Sequence, residues 1–266
     1  MLFCLCGATI ADGRPVLIAL PQTATAGLTQ VHGVVAERES QMPERNERER
    51  LANARPFAGL DEAAVDDVAG TGRRRRLSAG DTVFRQGEPA DELFVLLDGR
   101  VKVTQVTADG QQVVVSLLGP GEMMGCVAAW GGSNYPGTAT AQEDSSVIGW
   151  PGAVLSRLVE RHPAIARNLL GSVGHSLQET QTRLRELATE RVERRLAHAL
   201  LRLVDRQGAS LRLTRQELAE LAGTTLFTAS RTLSAWEARG IVEAGRGHVA
   251  VRRPESLAAI AEDAAP

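Results

Sequence analysis

Lysine is almost missing from this 266-residue chain: Lys102 stands alone among 30 basic residues, and the rest are arginine. Cysteine is scarce too. Cys4, Cys6 and Cys126 are too few for a disulfide framework and point to a reducing compartment. A metal cluster built on Cys4-x-Cys6 would need about four ligands. Aromatic residues make up 3% of the chain, and no apolar run approaches the roughly 18 residues that span a bilayer. The expected location is therefore cytoplasmic, with no membrane partner. No histidine lies between residues 77 and 150, whereas a metal-dependent β-barrel enzyme needs two or three histidines and a carboxylate inside the barrel. Neither a phosphate-cradling glycine loop nor a Ser-His-Asp grouping stands out. These absences weigh against an enzyme, and we expect neither catalytic residues nor a metal.

What is present is an uneven charge. Residues 191–253 hold twelve Arg against six Asp and Glu, a net +6, so the remainder carries −8 against a total of −2. A basic C-terminal module on an acidic body is the electrostatic footprint of nucleic-acid binding. Within that module, residues 213–247 read as a helix, a tight turn, a second helix and a hairpin. Thr214 with Glu217 three residues on forms a capping box, and Leu218, Leu221 and Ala222 line one face. Gly223 stops this helix, and Thr224 or Thr225 caps the next, whose inner face carries Ala229, Leu233 and Trp236. Leu226, Phe227, Thr228, Ser230 and Arg231 belong to the start and outer face of the second helix, the part of a helix-turn-helix that meets the major groove. Residues 241–243 and 248–251, around Gly245 and Gly247, look like a two-stranded wing. Taken alone, the stretch also fits an αα-hairpin that merely packs.

Upstream, residues 1–41 do not read as a domain. The apolar run at 2–10 lacks a basic flank, which argues against a signal peptide. We expect translation to start at Met42, with 1–41 a non-native or disordered extension. Residues 43–55 look like a solvated helix, and a helical lead-in follows from Phe57. Four arginines, Arg73 to Arg76, tempt a phosphate-binding reading; a solvated strand is favoured, because the run lies far from the helix-turn-helix. Residues 77–150 then alternate short strands with glycines: 93–97 and 113–118 as buried runs, 101–106 with one wet face. Such spacing implies a β-roll, sandwich or barrel. After a helical segment and a break at His162-Pro163, Ala166, Val173, Thr180 and Leu187 recur every seven residues, as do Leu170, Leu177 and Leu184. That 4-3 repeat is a coiled-coil seam for a dimer; the alternative is a helix packed on its own β-roll. A second helix over 192–206, with Leu196, Leu200, Leu203 and Val204, leads into the basic module.

This order of parts, an α+β chain of β-roll, long dimerisation helix and C-terminal winged helix-turn-helix, resembles the CRP/FNR family of transcription regulators. The most specific matches are Gly80-Asp81, Gly87-Glu88-Pro89-Ala90, residues 94–99 (FVLLDG), the Gly119-Pro120-Gly121-Glu122 turn and residues 214–219 (TRQELA). The resemblance implies a cyclic-nucleotide-binding-like effector domain over 42–151 (roll at 77–151), a linker and dimerisation helix over 152–190, a DNA-binding domain over 191–260 and a tail at 261–266. It implies a homodimer on a pseudo-palindromic operator in double-stranded DNA, with RNA polymerase as a further partner if the outcome is activation. Thr214, Gln216 and Thr225 match phosphate-holding positions. Arg231 matches a base-reading Arg, suited to guanine O6 and N7. The family's base-reading Glu is replaced by Phe227, which cannot accept from cytosine N4 but can pack on a thymine methyl. Ser230 matches the serine in the recognition helix of the fumarate-nitrate regulator.

The effector positions depart from the cAMP-binding members. Gly125-Cys126 stands where those have Gly-Glu for the ribose, and Tyr135-Pro136 where they have Arg-Ser for the cyclic phosphate. Thr180 matches the helix threonine that contacts the base, beside Gln181 instead of serine. Losing the phosphate Arg removes a charge-assisted contact of about 2–3 kcal/mol, which argues against cAMP. Three cysteines do not supply the four that an iron–sulfur cluster requires. Haem stays open, with Cys126, Met123, Met124, His162 or His175 as iron ligands. So do Cys126 as a redox-sensing thiol, a small apolar or aromatic effector in a pocket of Met123, Met124, Gly125, Cys126, Tyr135, Pro136, Thr138 and Thr180, and no effector at all. A module acting on a protein partner, with no DNA step, is the competing class; the basic C-terminal head argues against it.

Overall fold

The computed structural model describes residues 45–110, 112–125 and 134–262. Residues 1–41, Met42, Cys4, Cys6, Cys126 and the end of the tail lie outside the described residues.

Helix α1 (Arg45–Asn53), a 3-10 turn (Arg55–Phe57) and α2 (Glu62–Thr71) precede eight strands: β1 (Arg73–Leu77), β2 (Thr82–Phe84), β3 (Glu92–Asp98), β4 (Val101–Val106), β5 (Gln112–Leu118), β6 (Met123–Met124), β7 (Thr138–Ala141) and β8 (Ser145–Pro151). They make two antiparallel four-stranded sheets, ordered β1-β8-β3-β6 and β2-β7-β4-β5. The roll interior is filled by Phe84, Phe94, Leu96, Val101, Met124, Tyr135 and Val147. Because successive strand residues point to opposite faces, Leu93, Val95 and Leu97 of β3 face the other way. With Ile148 and Trp150 they pack under the helices through Leu51, Val68, Leu155, Leu158 and Ile165. Strand β3 is thus buried on both faces, which is why its sequence runs apolar without alternation. Trp150 centres this layer, edge-on to Phe57 at 5.0 Å and donating its indole N–H to the Val68 carbonyl at 2.9 Å.

The remaining elements are α3 (Gly152–Arg161), α4 (Ala164–Thr189), α5 (Val192–Gln207), β9 (Ser210–Leu211), α6 (Arg215–Leu221), α7 (Leu226–Ala238), β10 (Val242–Gly245), β11 (His248–Val251) and α8 (Pro254–Glu262). Around α6 and α7 a separate core gathers Leu196, Leu200, Leu218, Leu233, Trp236 and Val249. No helix among the described residues is long and apolar enough to cross a membrane. Helix α4 buries Ile165, Leu169, Ser172 and Glu186. Its heptad residues do not pack on the roll: Leu170 is 71% exposed and Leu184 68%, while Val173, Leu177, Thr180 and Leu187 are exposed as well and Ala166 is half-buried.

Several local expectations change. The charged 43–55 stretch is not a freely solvated helix: α1 buries Leu51, and Arg50 donates to the Leu97 carbonyl at 2.9 Å. The arginine strand β1 is only partly solvated. Arg74 pairs with Glu47, and Arg75 donates to the Val83 carbonyl and lies over Phe94. Strand β5 is an edge strand, and of its apolar run only Leu118 is buried in the roll. Val113 is exposed, while Val114 and Leu117 join the core of the C-terminal head. On the face of β4 expected to be wet, Lys102 stands 3.9 Å from Glu217 of the head, and Thr104 is buried, accepting from the Gln112 side chain at 3.0 Å. The wing gains a third strand, in the order β10-β11-β9, because residues 210–211 pair with β11.

Roll and head also meet through charged groups. Arg100 Nη2 lies 3.4 Å from both carboxylate oxygens of Glu217, each side chain nearly buried. Burial, the largest influence, lowers the Arg100 pKa, and Glu217 opposes it. Arg183 Nη1 donates to the Val115 carbonyl (2.7 Å) and Nη2 to the Leu221 carbonyl (3.2 Å), bridging roll and head from α4. Removing one partner of a buried ion pair leaves the other charge stranded. Glu217→Ala is therefore expected to lower the free energy of unfolding in urea by about 3–5 kcal/mol, well beyond the loss of a helix cap alone.

Candidate nucleic-acid interface and effector pocket

The helix-turn-helix is set by its caps. Thr214 Oγ1 accepts from the Glu217 amide at 3.1 Å, and Glu217 Oε2 accepts from the Thr214 amide and hydroxyl, each at 2.9 Å. Gly223, at φ +62°, turns the chain. Thr225, not Thr224, caps α7, accepting from the Thr228 amide at 3.3 Å. Ala229, Leu233 and Trp236 face inward as expected, with the Trp236 indole donating to Glu193 at 3.1 Å. Outward lie Leu226, Phe227 and Arg231, all exposed, beside half-buried Thr228 and Ser230. Arg231 makes no hydrogen bond or ion pair with any described residue. Thr214 and Gln216 are exposed at the start of α6, and Gln216 donates to Glu220 at 2.6 Å. One exposed cation escaped the sequence reading: Arg246, between Gly245 and Gly247 at the tip of the wing. An arginine flanked by two glycines inside a hairpin was the available signal.

The expected effector positions are only partly brought together. Met124 faces the roll interior, but Met123 points to the opposite side of β6, against the helical layer. Adjacent strand residues cannot line one pocket, so the two methionines separate. Gly125 (φ +81°) touches Tyr135 closely: an added Cβ would sit 3.0 Å from its ring and 2.8 Å from the Glu92 carbonyl. Tyr135 is a core residue, stacked on Phe84 at 3.9 Å, donating its hydroxyl to the Glu92 carbonyl (2.9 Å) and accepting from the Glu92 amide (3.2 Å). Burial raises the pKa of this phenol. Pro136 is exposed, and Thr138 is half-buried, accepting from the Gln86 amide at 3.0 Å. Thr180 projects from α4 and donates back to the Ser176 carbonyl. Cys126 lies outside the described residues. Of the histidines weighed as iron ligands, His162 is bonded to Asp67 at 2.8 Å. His175 borders a cleft of about 640 Å³ between α4, α5 and the Pro120–Glu122 turn, not the roll interior.

Glu92, beside Tyr135, yields a test. Burial raises its carboxyl pKa, Asp91 adds to this, and Arg73 and Arg75 oppose it. The folded state thus holds this proton to higher pH than the unfolded chain, and stability falls as pH rises from about 4.5 toward the raised value. Glu92→Gln removes that fall, so the melting temperature of the variant minus that of the parent is expected to grow from pH 4.5 toward neutrality; a flat difference would mean that the two arginines cancel the burial. Residues 74–162 match the cyclic nucleotide-binding domain family and residues 194–260 the Crp-like helix-turn-helix domain family. The chain is 33% identical over 207 residues to the cyclic AMP receptor protein of Thermus thermophilus, covering 77% of this chain and 95% of that one. It is 28% identical over 218 residues to a CRP-like cAMP-activated global transcriptional regulator of Mycobacterium tuberculosis, covering 79% and 97%. The crystal structure of a CRP/FNR-family transcriptional regulator from Thermus thermophilus matches with a TM-score of 0.60 at 25% identity, over 72% of this chain and 99% of that one. Two domains of the right kinds in the right order, and a relative of this identity matched over nearly its whole length, settle the assignment: the chain belongs to the CRP/FNR family of transcription regulators.

Proposed function

We propose that the protein acts as a homodimer that reads a pseudo-palindromic operator in double-stranded DNA, with the two copies of α7 in major grooves about 34 Å apart. The observation that supports this most is the face of α4, where Leu170, Val173, Leu177, Leu184 and Leu187 stay exposed at heptad spacing. Ala166 and Thr180 complete the pattern. A stripe of this kind is stable in water when a second stripe covers it. Residues 152–190 then serve dimerisation, 191–260 DNA reading and 42–151 sensing, in a cytoplasmic protein. Arg231 and Ser230 address base edges. Thr214, Gln216, Thr225 and Thr228 address the backbone, and Arg246 adds a phosphate contact from the wing.

Two of the relatives above carry cyclic AMP in their names; we infer that this chain does not use it. Tyr135 stands at the position that the family resemblance gives to the phosphate-binding arginine, and here it is part of the roll core. A small apolar or aromatic effector, or none, fits the aromatic interior of Phe84, Phe94 and Tyr135 better than an anion does.

Two outcomes are expected. Leu177→Asp/Leu184→Asp places charge in the seam, so sedimentation should show a monomer, and its affinity for a full operator should fall to that for a half-site. A variant that stays dimeric would overturn the seam. Millimolar cAMP should leave both the melting temperature and the operator affinity unchanged, whereas a ligand at 100 times its Kd would stabilise the fold by about 2.7 kcal/mol.

A further inference from the structure

We propose that Phe227, flanked by Leu226, reads a C5-methyl group in the major groove, so that each half-site carries a thymine at a fixed step from the base met by Arg231. This rests on the DNA-reading role given to α7 above.

Among the described residues, exposed large apolar side chains fall in three places: the α4 seam, Val106 and Val113 on the β4–β5 hairpin, and the start of α7. Phe227 is the most exposed of them at 75%, next to Leu226 at 47%. Isolated apolar residues on a surface need no explanation. Two adjacent ones at the first turn of a helix whose outer face also presents an arginine with no partner among the described residues do. The Thr225 cap holds that first turn in place, and Arg231, four residues after Phe227, projects from the same face. The helix offers no free carboxylate. Its single carboxylate, Glu237, is already committed to Arg215 at 3.3 Å and to the Ala244 amide at 2.9 Å. The Thr228 hydroxyl lies 3.0 Å from that of Thr225. No carboxylate on α7 is therefore left to accept from cytosine N4. The major-groove edges of the four bases offer one apolar group, the thymine methyl, and a phenyl ring is a suitable partner for it.

The test begins by selecting duplexes from a randomised pool with the full-length protein, then replacing thymines one at a time with uracil. Uracil lacks the C5-methyl and keeps the same pairing. Burying one such group is worth about fourfold in affinity, or about fifteenfold when both half-sites are changed. We expect that loss at one symmetry-related thymine per half-site. Phe227→Ala should bind the thymine and uracil duplexes equally, yet still prefer the selected site over scrambled DNA through Arg231. Phe227→Glu should select cytosine at that position. Uracil that is neutral at every position, or an equal loss in Phe227→Ala, overturns the methyl contact and leaves the DNA-reading role standing. Failure to enrich any sequence would overturn that role as well.

Discussion

The carboxylate of Glu217 serves two structures at once. It closes the capping box that starts α6, accepting from the Thr214 amide and hydroxyl, and it is the counter-charge of Arg100, with Lys102 in reach. A buried carboxylate must be paired and hydrogen-bonded to be tolerated, and this one obtains its partners from both halves of the chain. Arg100 is itself held in place. It follows Gly99, whose φ of +89° and contact with Ser145 leave no room for a side chain, and its amide donates to the Ser145 hydroxyl at 3.2 Å. The angle of α6, the first helix of the helix-turn-helix, is therefore registered against one turn of the β-roll.

Around this point charged groups ring the apolar contact that Val114 and Leu117 make with the head core. Arg183 bonds backbone carbonyls on β5 and at the end of α6; Arg206 reaches both Glu122 and Glu179; Arg212 pairs with Glu143. Burial lowers the pKa of Arg183, and Arg202 adds to this, while Glu179 and Glu186 oppose it. Apolar contacts are non-directional and tolerate sliding, whereas charge-assisted hydrogen bonds depend on distance and angle. A small movement of β5 thus acts on α6 through bonds that must either follow or break. This is the kind of contact through which two discrete arrangements of a head and a body are separated in energy.

Much of this architecture was legible in the chain because local chemistry and tertiary demand agree. The Thr214–Glu217 capping box, the Gly223 turn and the inner face of Ala229, Leu233 and Trp236 are each specified within a few residues. The apolar run of β3 also reads correctly, since burial on both faces leaves no alternation. Some of the failures come from contacts with distant elements. Strand β5 looks like a core strand because Val114 and Leu117 are covered by a head far away in sequence. Lys102 looks wet for the same reason, its head contact being Glu217. Met123 and Met124 were placed in one pocket by adjacency, although strand alternation separates them. Tyr135 took its expected role from a family position, and only the stacking on Phe84 shows it to be core.

One side chain belongs to two of the features described above. Leu187 is the last residue of the heptad stripe, and its Cδ2 lies so near Gly223 that an added Cβ there would approach it to 2.5 Å. The turn between α6 and α7 therefore rests on the end of the helix that carries the exposed heptad stripe. In a two-fold assembly, the packing depth at Leu187 fixes how far each turn stands from the symmetry axis, and so the separation of the two recognition helices. Residue volume at this pair, with no base in contact, becomes a setting for the number of base pairs between half-sites.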